Sequence, residues 1–159
     1  MLVTPLQLAD AYAQFGNGGV RFAPRIAARV LDRDGKVLRE EAPREAGSVD
    51  IAPATRDAIL QGLEGAVSAR DGTAAAAFAG YPERTLPVAG KTGTAQVTGK
   101  KDTAVFAAFA PADQPQYAVA VILEEAGFGG TAAAPVARRI FDQLAGQPPG
   151  PIRLGTGSD

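Results

Sequence analysis

Residues 88–124 read VAGKTGTAQVTGKKDTAVFAAFAPADQPQYAVAVILE, and the spacing of apolar residues in this stretch decides the fold class. Thr103–Ala110 (TAVFAAFA) and Gln116–Glu124 (QYAVAVILE) are alternating or continuously apolar runs, the pattern of strands that bury one or both faces. The segment from Pro111 to Pro115 carries turn chemistry and joins them as an antiparallel hairpin. Val88 to Val97 supplies a neighbouring strand. Because both faces are apolar, a covering layer is needed on each side. The expected class is α/β (α+β), an antiparallel sheet flanked by helices.

The covering helices are legible on either side of that stretch. Thr4-Pro5 places an N-cap before a proline at the first helical position, and the helix is expected to run to about Phe15, closed by Gly16-Asn17-Gly18-Gly19. Leu6, Ala9 and Ala13 form one stripe and Leu8, Tyr12 and Phe15 the next. A second helix spans Pro53 to Ala69, with Ile59, Leu63, Ala66 and Val67 at helical spacing. A third runs from Thr131 to Leu144, with Val136, Ile140, Phe141 and Leu144 on its expected inner stripe. Between the first two helices, Asp32-Arg33-Asp34-Gly35 predicts a small peripheral hairpin within 26–38. The charged segment 39–52 reads as an exposed connection. One domain over 1–146 and a disordered Pro/Gly-rich tail over 147–159 are expected.

Composition excludes several kinds of chemistry. The 159 residues contain neither cysteine nor histidine, which removes disulfides, thiol nucleophiles, His-ligated metals and imidazole bases. A net charge of −1 offers no cationic field for nucleic acid. No apolar run approaches the ~20 residues that cross a bilayer, and the N-terminus lacks a signal-peptide pattern, so the chain as given is expected to be soluble.

Gly90-Lys91-Thr92-Gly93-Thr94 is the densest chemical signal. It is not a phosphate loop: the position five before Gly90 is Thr85, not glycine, and the segment runs into a strand, not a helix. It fits a strand that presents a cation and two hydroxyls to a carboxylate, with glycine allowing close backbone approach. Strand alternation puts Lys91 and Gly93 on one face and Thr92 and Thr94 on the other, so reaching one ligand requires a twist. An exposed polar turn is the alternative. Gln96 lies one strand period beyond Thr94 and either lines the cleft or is simply exposed. Glu124 and Glu125 read as solvated, Lys100 and Lys101 as turn lysines, and Phe106, Phe109 and Tyr117 as core aromatics. Gly129-Gly130 forms either a turn near the cleft mouth or a turn leading into the last helix.

Three blocks, VTPLQLADAYAQFGNGG, GKTGTAQ and FGGTAAAPVARRIF, stand in this order between Val3 and Phe141, and the resemblance they carry covers about residues 2–146. Together they resemble the C-terminal part of the transpeptidase domain of class B penicillin-binding proteins, and the ending with Gly129-Gly130 and Ala132-Ala133-Ala134-Pro135 looks most like the elongation-type enzymes, with the septal-type enzymes as the alternative. The resemblance implies a penicillin-binding/serine β-lactamase-like fold and a peptidoglycan D,D-transpeptidase acting through an acyl-enzyme. Its implied partners are the D-Ala-D-Ala end of a peptidoglycan stem peptide, β-lactams, the upstream half of the domain and the cell-wall synthesis machinery. The implied location is the outer face of the cytoplasmic membrane, with the parent protein membrane-anchored and no cofactor. Lys91-Thr92-Gly93 corresponds to the third active-site motif. Thr92 and Thr94 would bind the substrate carboxylate, Lys91 would add positive potential, and the Thr94 backbone N–H would form half of the oxyanion hole.

The first two motifs, Ser-x-x-Lys and Ser-x-Asn, are not found. Ser48 and Ser68 are followed three residues later by Ile51 and Asp71, and Ser158 is the penultimate residue. No nucleophile is therefore expected in this chain, which reads as a piece of a longer protein or one part of a split one, inactive alone. The alternatives are a non-catalytic carboxylate-binding or scaffold fragment, and part of a D,D-carboxypeptidase or β-lactamase.

Overall fold

The computed structural model describes residues 2–150. Its centre is a three-stranded antiparallel sheet in the order β5 (Ala89–Ala95), β6 (Thr103–Ala110) and β7 (Tyr117–Leu123). The register pairs Thr92 with Phe106 and Phe106 with Val121, which puts the apolar run of β6 in the middle. Earlier in the chain lie α1 (Pro5–Gly16), two two-stranded ribbons, α2 (Pro53–Ser68) and the short α3 (Ala75–Phe78). After the sheet, a π-helical turn at Gly129–Ala133 leads directly into α4 (Ala134–Leu144).

Alternation sorts the sheet's side chains onto two faces, and each face has its own core. Ala104, Phe106 and Ala108 pack with Val121, Phe78 of α3 and Ala134, Ala137 and Phe141 of α4. On the opposite face Phe109 and Ala89 pack against Tyr12 and Phe15 of α1 and Leu60 and Leu63 of α2. The expectation of helices on both faces is met, and its cause is the β6 sequence: phenylalanines at 106 and 109 differ in parity and so point to opposite sides. Burying each contributes roughly 1.5–3 kcal/mol.

The start of α1 follows the sequence closely. The Thr4 hydroxyl accepts from the Gln7 backbone N–H at 3.2 Å while the Gln7 side chain accepts from the Thr4 N–H at 2.9 Å, a reciprocal cap. The predicted hairpin forms as β2 (Arg29–Leu31) and β3 (Val37–Glu40). In its turn the Asp32 carboxylate accepts from the Asp34 and Lys36 backbone N–H groups.

Four expectations are corrected. The charged connection is partly a strand: β4 (Glu45–Ser48) pairs antiparallel with β1 (Val20–Phe22). This ribbon is held by backbone bonds and buries no side-chain stripe, so no apolar periodicity marked it. The inner face of α2 uses Leu60 beside Leu63 and Val67, and Ile59 is exposed. Tyr117 opens β7 on the outside and is 40% exposed. In α4 the buried face is Ala134, Ala137, Arg138, Phe141 and Asp142, while Val136, Ile140 and Leu144 are 41%, 40% and 38% exposed.

The α4 reversal has an electrostatic reason. The Arg138 Nε donates to both Asp142 carboxylate oxygens at 3.1 Å. Its Nη1 donates to the Ala77 and Ala79 carbonyls at 3.2 and 3.1 Å, and its guanidinium lies 5.5 Å from the Tyr81 ring centroid. Asp142 also accepts from the Gly150 N–H at 2.8 Å. A buried ion pair persists only when its remaining donors and acceptors are satisfied, and here they tie α4 to the end of α3. Residues 151–159, where most of the expected tail falls, lie outside the described residues.

Candidate active site

The site is built on β5, whose only described ladder partner is β6. Gly90 is required by packing: a Cβ there would fall 2.6 Å from the Ala108 Cβ and 2.8 Å from the Phe106 Cζ. Thr92 shares the Gly90 face of β5 by strand alternation and is buried, 7% exposed. Lys91 leaves the backbone on the opposite face, yet its ammonium does not stay there.

The Lys91 Nζ donates to the Thr92 hydroxyl at 3.0 Å and to the Thr92 carbonyl at 3.2 Å. It also donates to the Thr73 hydroxyl at 3.2 Å. The Thr92 hydroxyl in turn donates to the Thr73 hydroxyl at 2.8 Å. The four-carbon stem therefore carries the charge round the strand margin onto the Thr92 side. Strand alternation, which separates Lys91 from Thr92 at the Cα level, is overcome by the reach of the lysine side chain. All three ammonium protons have acceptors, and the cation is fixed in place.

Thr94 continues the Thr92 face, and its hydroxyl accepts from the Gly129 N–H at 3.4 Å. Gly93, between the two threonines, and its ladder partner Val105 are closely approached by the turn before α4. A Cβ on Gly129 would meet the Val105 carbonyl at 2.3 Å and the Gly93 carbonyl at 2.5 Å, and one on Gly130 would meet the Thr73 carbonyl at 2.5 Å. The Gly129-Gly130 pair thus lies directly on β5 and on the loop after α2, so close contact, beyond turn formation, accounts for both glycines. Gln96 lies just beyond the end of β5 and is exposed. Glu124, Glu125, Lys100 and Lys101 are exposed.

Thr73 is the residue that sequence reading passed over. Arg70-Asp71-Gly72-Thr73 reads as ordinary turn chemistry after α2, and the turn forms: Gly72 N–H donates to the Ala69 carbonyl and Ala75 N–H to the Gly72 carbonyl. Gly72 in turn packs under the Gly65 carbonyl, where a Cβ would sit at 2.5 Å. That close turn brings Thr73 to Lys91, a contact spanning 18 residues that no local pattern announces.

Residues 1–142 match the family model of the penicillin binding protein transpeptidase domain. A peptidoglycan D,D-transpeptidase MrdA from Haemophilus influenzae is 36% identical over 161 residues, covering 91% of this chain and 24% of that protein. Among solved structures, PBP2 of Pseudomonas aeruginosa superposes with a TM-score of 0.71 at 36% identity, covering 89% of this chain and 30% of that one. The penicillin G acyl-enzyme complex of penicillin-binding protein A from M. tuberculosis superposes with a TM-score of 0.72 at 26% identity, over 89% of this chain and 32% of that one. The chain spans about a quarter of the length of the curated relatives it matches.

Proposed function

From a chain that belongs to the penicillin-binding protein transpeptidase domain family, we propose the substrate-binding wall of a serine D,D-transpeptidase of the elongation type, completed by an upstream half that carries the nucleophile. The observation that carries this reading is the Lys91 ammonium, drawn round β5 onto the Thr92 hydroxyl. A cation and hydroxyls gathered on one side of a strand suit the terminal carboxylate of a D-Ala-D-Ala stem peptide, and equally the carboxylate of a β-lactam.

In the completed site a serine Oγ supplied by the upstream half attacks the carbonyl carbon of the penultimate D-alanine. The Oγ–C bond forms, the peptide C–N bond breaks, and the terminal D-alanine departs with the proton taken from the serine. An amine on a neighbouring stem peptide then attacks the ester carbonyl, its proton returns to Oγ, and the cross-link replaces the acyl-enzyme. This chain's part is to hold the donor carboxylate with the positive charge of Lys91 and with Thr94, while Thr92, whose proton goes to Thr73, fixes the ammonium in place instead of donating to the ligand as expected. It also offers the Thr94 backbone N–H to the developing oxyanion. Gly93 keeps the strand surface clear for the substrate backbone, and Gln96 borders the entrance. A β-lactam stops at the acyl-enzyme because its leaving group remains tethered.

No helix among the described residues is long and apolar enough to cross a membrane. The proposed location, the outer face of the cytoplasmic membrane among the cell-wall synthesis machinery, rests on the family. The test is fluorescent-penicillin labelling of the purified chain, alone and with the upstream half supplied in trans, read after denaturation. Label only in the mixture, carried by the upstream half, is the expected result. Label on this chain alone would overturn the placement of the nucleophile. No label in either case would favour a non-catalytic fragment.

A further inference from the structure

We infer that Thr73 is a ligand-binding residue of this site, donating its hydroxyl proton to the same carboxylate that Lys91 and Thr92 face. Lysine has three donors and no acceptor, so the Thr73 and Thr92 oxygens, 3.2 and 3.0 Å from the Lys91 Nζ, both accept from it. The two hydroxyls lie 2.8 Å apart, and one of their two protons bridges them. One proton is left over. Thr92 is buried, at 7% exposure, whereas Thr73 is exposed at the surface, so the bridging proton belongs to Thr92 and the remaining one points outward from Thr73.

That oxygen accepts twice, from a cation and from a polarised hydroxyl, and both contacts strengthen it as a donor. A donor so oriented beside a fixed ammonium matches an anionic oxygen. The turn that holds Thr73 is itself pinned, with Gly130 against the Thr73 carbonyl and the Ala74 N–H donating to the Ala66 carbonyl at 2.8 Å, so the hydroxyl is preorganised. Sequence position gave no sign of this, since 18 residues separate Thr73 from Lys91.

The inference rests on the transpeptidase reading for the identity of the carboxylate. Its test compares Thr73→Val, which removes the hydroxyl and keeps the shape, with Thr73→Ser, which keeps the hydroxyl. Both are measured in the chain assembled with the upstream half, against benzylpenicillin and its uncharged methyl ester. Loss of a hydrogen bond to a charged acceptor predicts a fall of about tenfold in the second-order acylation rate for Thr73→Val with benzylpenicillin. Thr73→Ser is expected to stay within about threefold of wild type, and the ester to react at the same rate with all three proteins. An unchanged rate for Thr73→Val, or equal losses for acid and ester, overturns the inference and leaves Thr73 a packing residue.

Should the wild-type assembly acylate with neither compound, the transpeptidase reading fails, and the inference is decided on the full chain alone. NMR titration with N-acetyl-D-alanine should then shift the Thr73 and Thr92 methyl resonances in wild type and in Thr73→Ser, with about tenfold weaker binding in Thr73→Val. Absence of that difference overturns it.

Discussion

Replacing Gly129 with alanine tests whether the turn before α4 braces the candidate site. The new Cβ would sit 2.3 Å from the Val105 carbonyl oxygen and 2.5 Å from that of Gly93, about 1 Å inside ordinary contact. Both obstacles are backbone atoms of paired strands, so neither can swing away as a side chain would. Overpacking of this kind costs about 1–3 kcal/mol, and relief through the ladder places this case at about 2–3 kcal/mol. For a domain of this size each kcal/mol moves the Tm by roughly 2–4 °C, giving an expected fall of roughly 4–12 °C.

Thermal unfolding followed by circular dichroism measures it, with Gly62→Ala as the control. Gly62 lies inside α2 with nothing within 4 Å of an added Cβ, so alanine there should stabilise by about 0.5–1 kcal/mol. Because relief of the Gly129 clash displaces Gly93, β-lactam acylation of the assembled site should slow as well. A Gly129→Ala protein melting within about 1 °C of wild type would refute the claim that the glycine is required by contact.

Asp142→Ala strands the buried Arg138 guanidinium and should cost about 3–5 kcal/mol in urea denaturation, whereas the double change Arg138→Met with Asp142→Leu should recover most of that loss. The Tyr81 hydroxyl is held well above the ordinary tyrosine range, first by burial and then by the negative charge of Asp142, and burial raises Tyr12 too. A folded-state pKa raised above the unfolded one adds stability that is fully present below about pH 10 and is lost as pH rises above it, toward the folded-state values. The Tm should therefore decline above about pH 10, and Tyr81→Phe should make that decline shallower; an identical alkaline slope in the variant would count against it.

What the sequence made legible was whatever repeats at short range. The β5–β7 sheet followed from period-two runs, α1 from Thr4-Pro5 with Gln7, and the β2–β3 hairpin from Asp32 to Gly35. The α4 face was misjudged because apolarity is a poor guide when a fully satisfied ion pair takes the inside. Arg138 and Asp142 are four residues apart, which puts them on one helical stripe, and partners from α3 and Gly150 complete them. The β1–β4 ribbon escaped because backbone pairing leaves no side-chain period. In the site, Lys91, Thr92 and Gly93 could be named from the motif, but its three-dimensional closure could not. Lys91 crosses the strand margin through its stem, and Thr73 and Gly130 arrive from distant turns. These are contacts of long reach, without local signatures.

The most direct measurement is the second-order rate of acylation by benzylpenicillin of the site assembled from this chain and the upstream half, with Lys91 intact and with Lys91→Ala. Loss of a preorganised charge facing the ligand predicts a fall of about a hundredfold or more, with the acyl group still on the upstream serine. A rate within about threefold of the intact assembly would contradict the claim that β5 forms the working wall of the site.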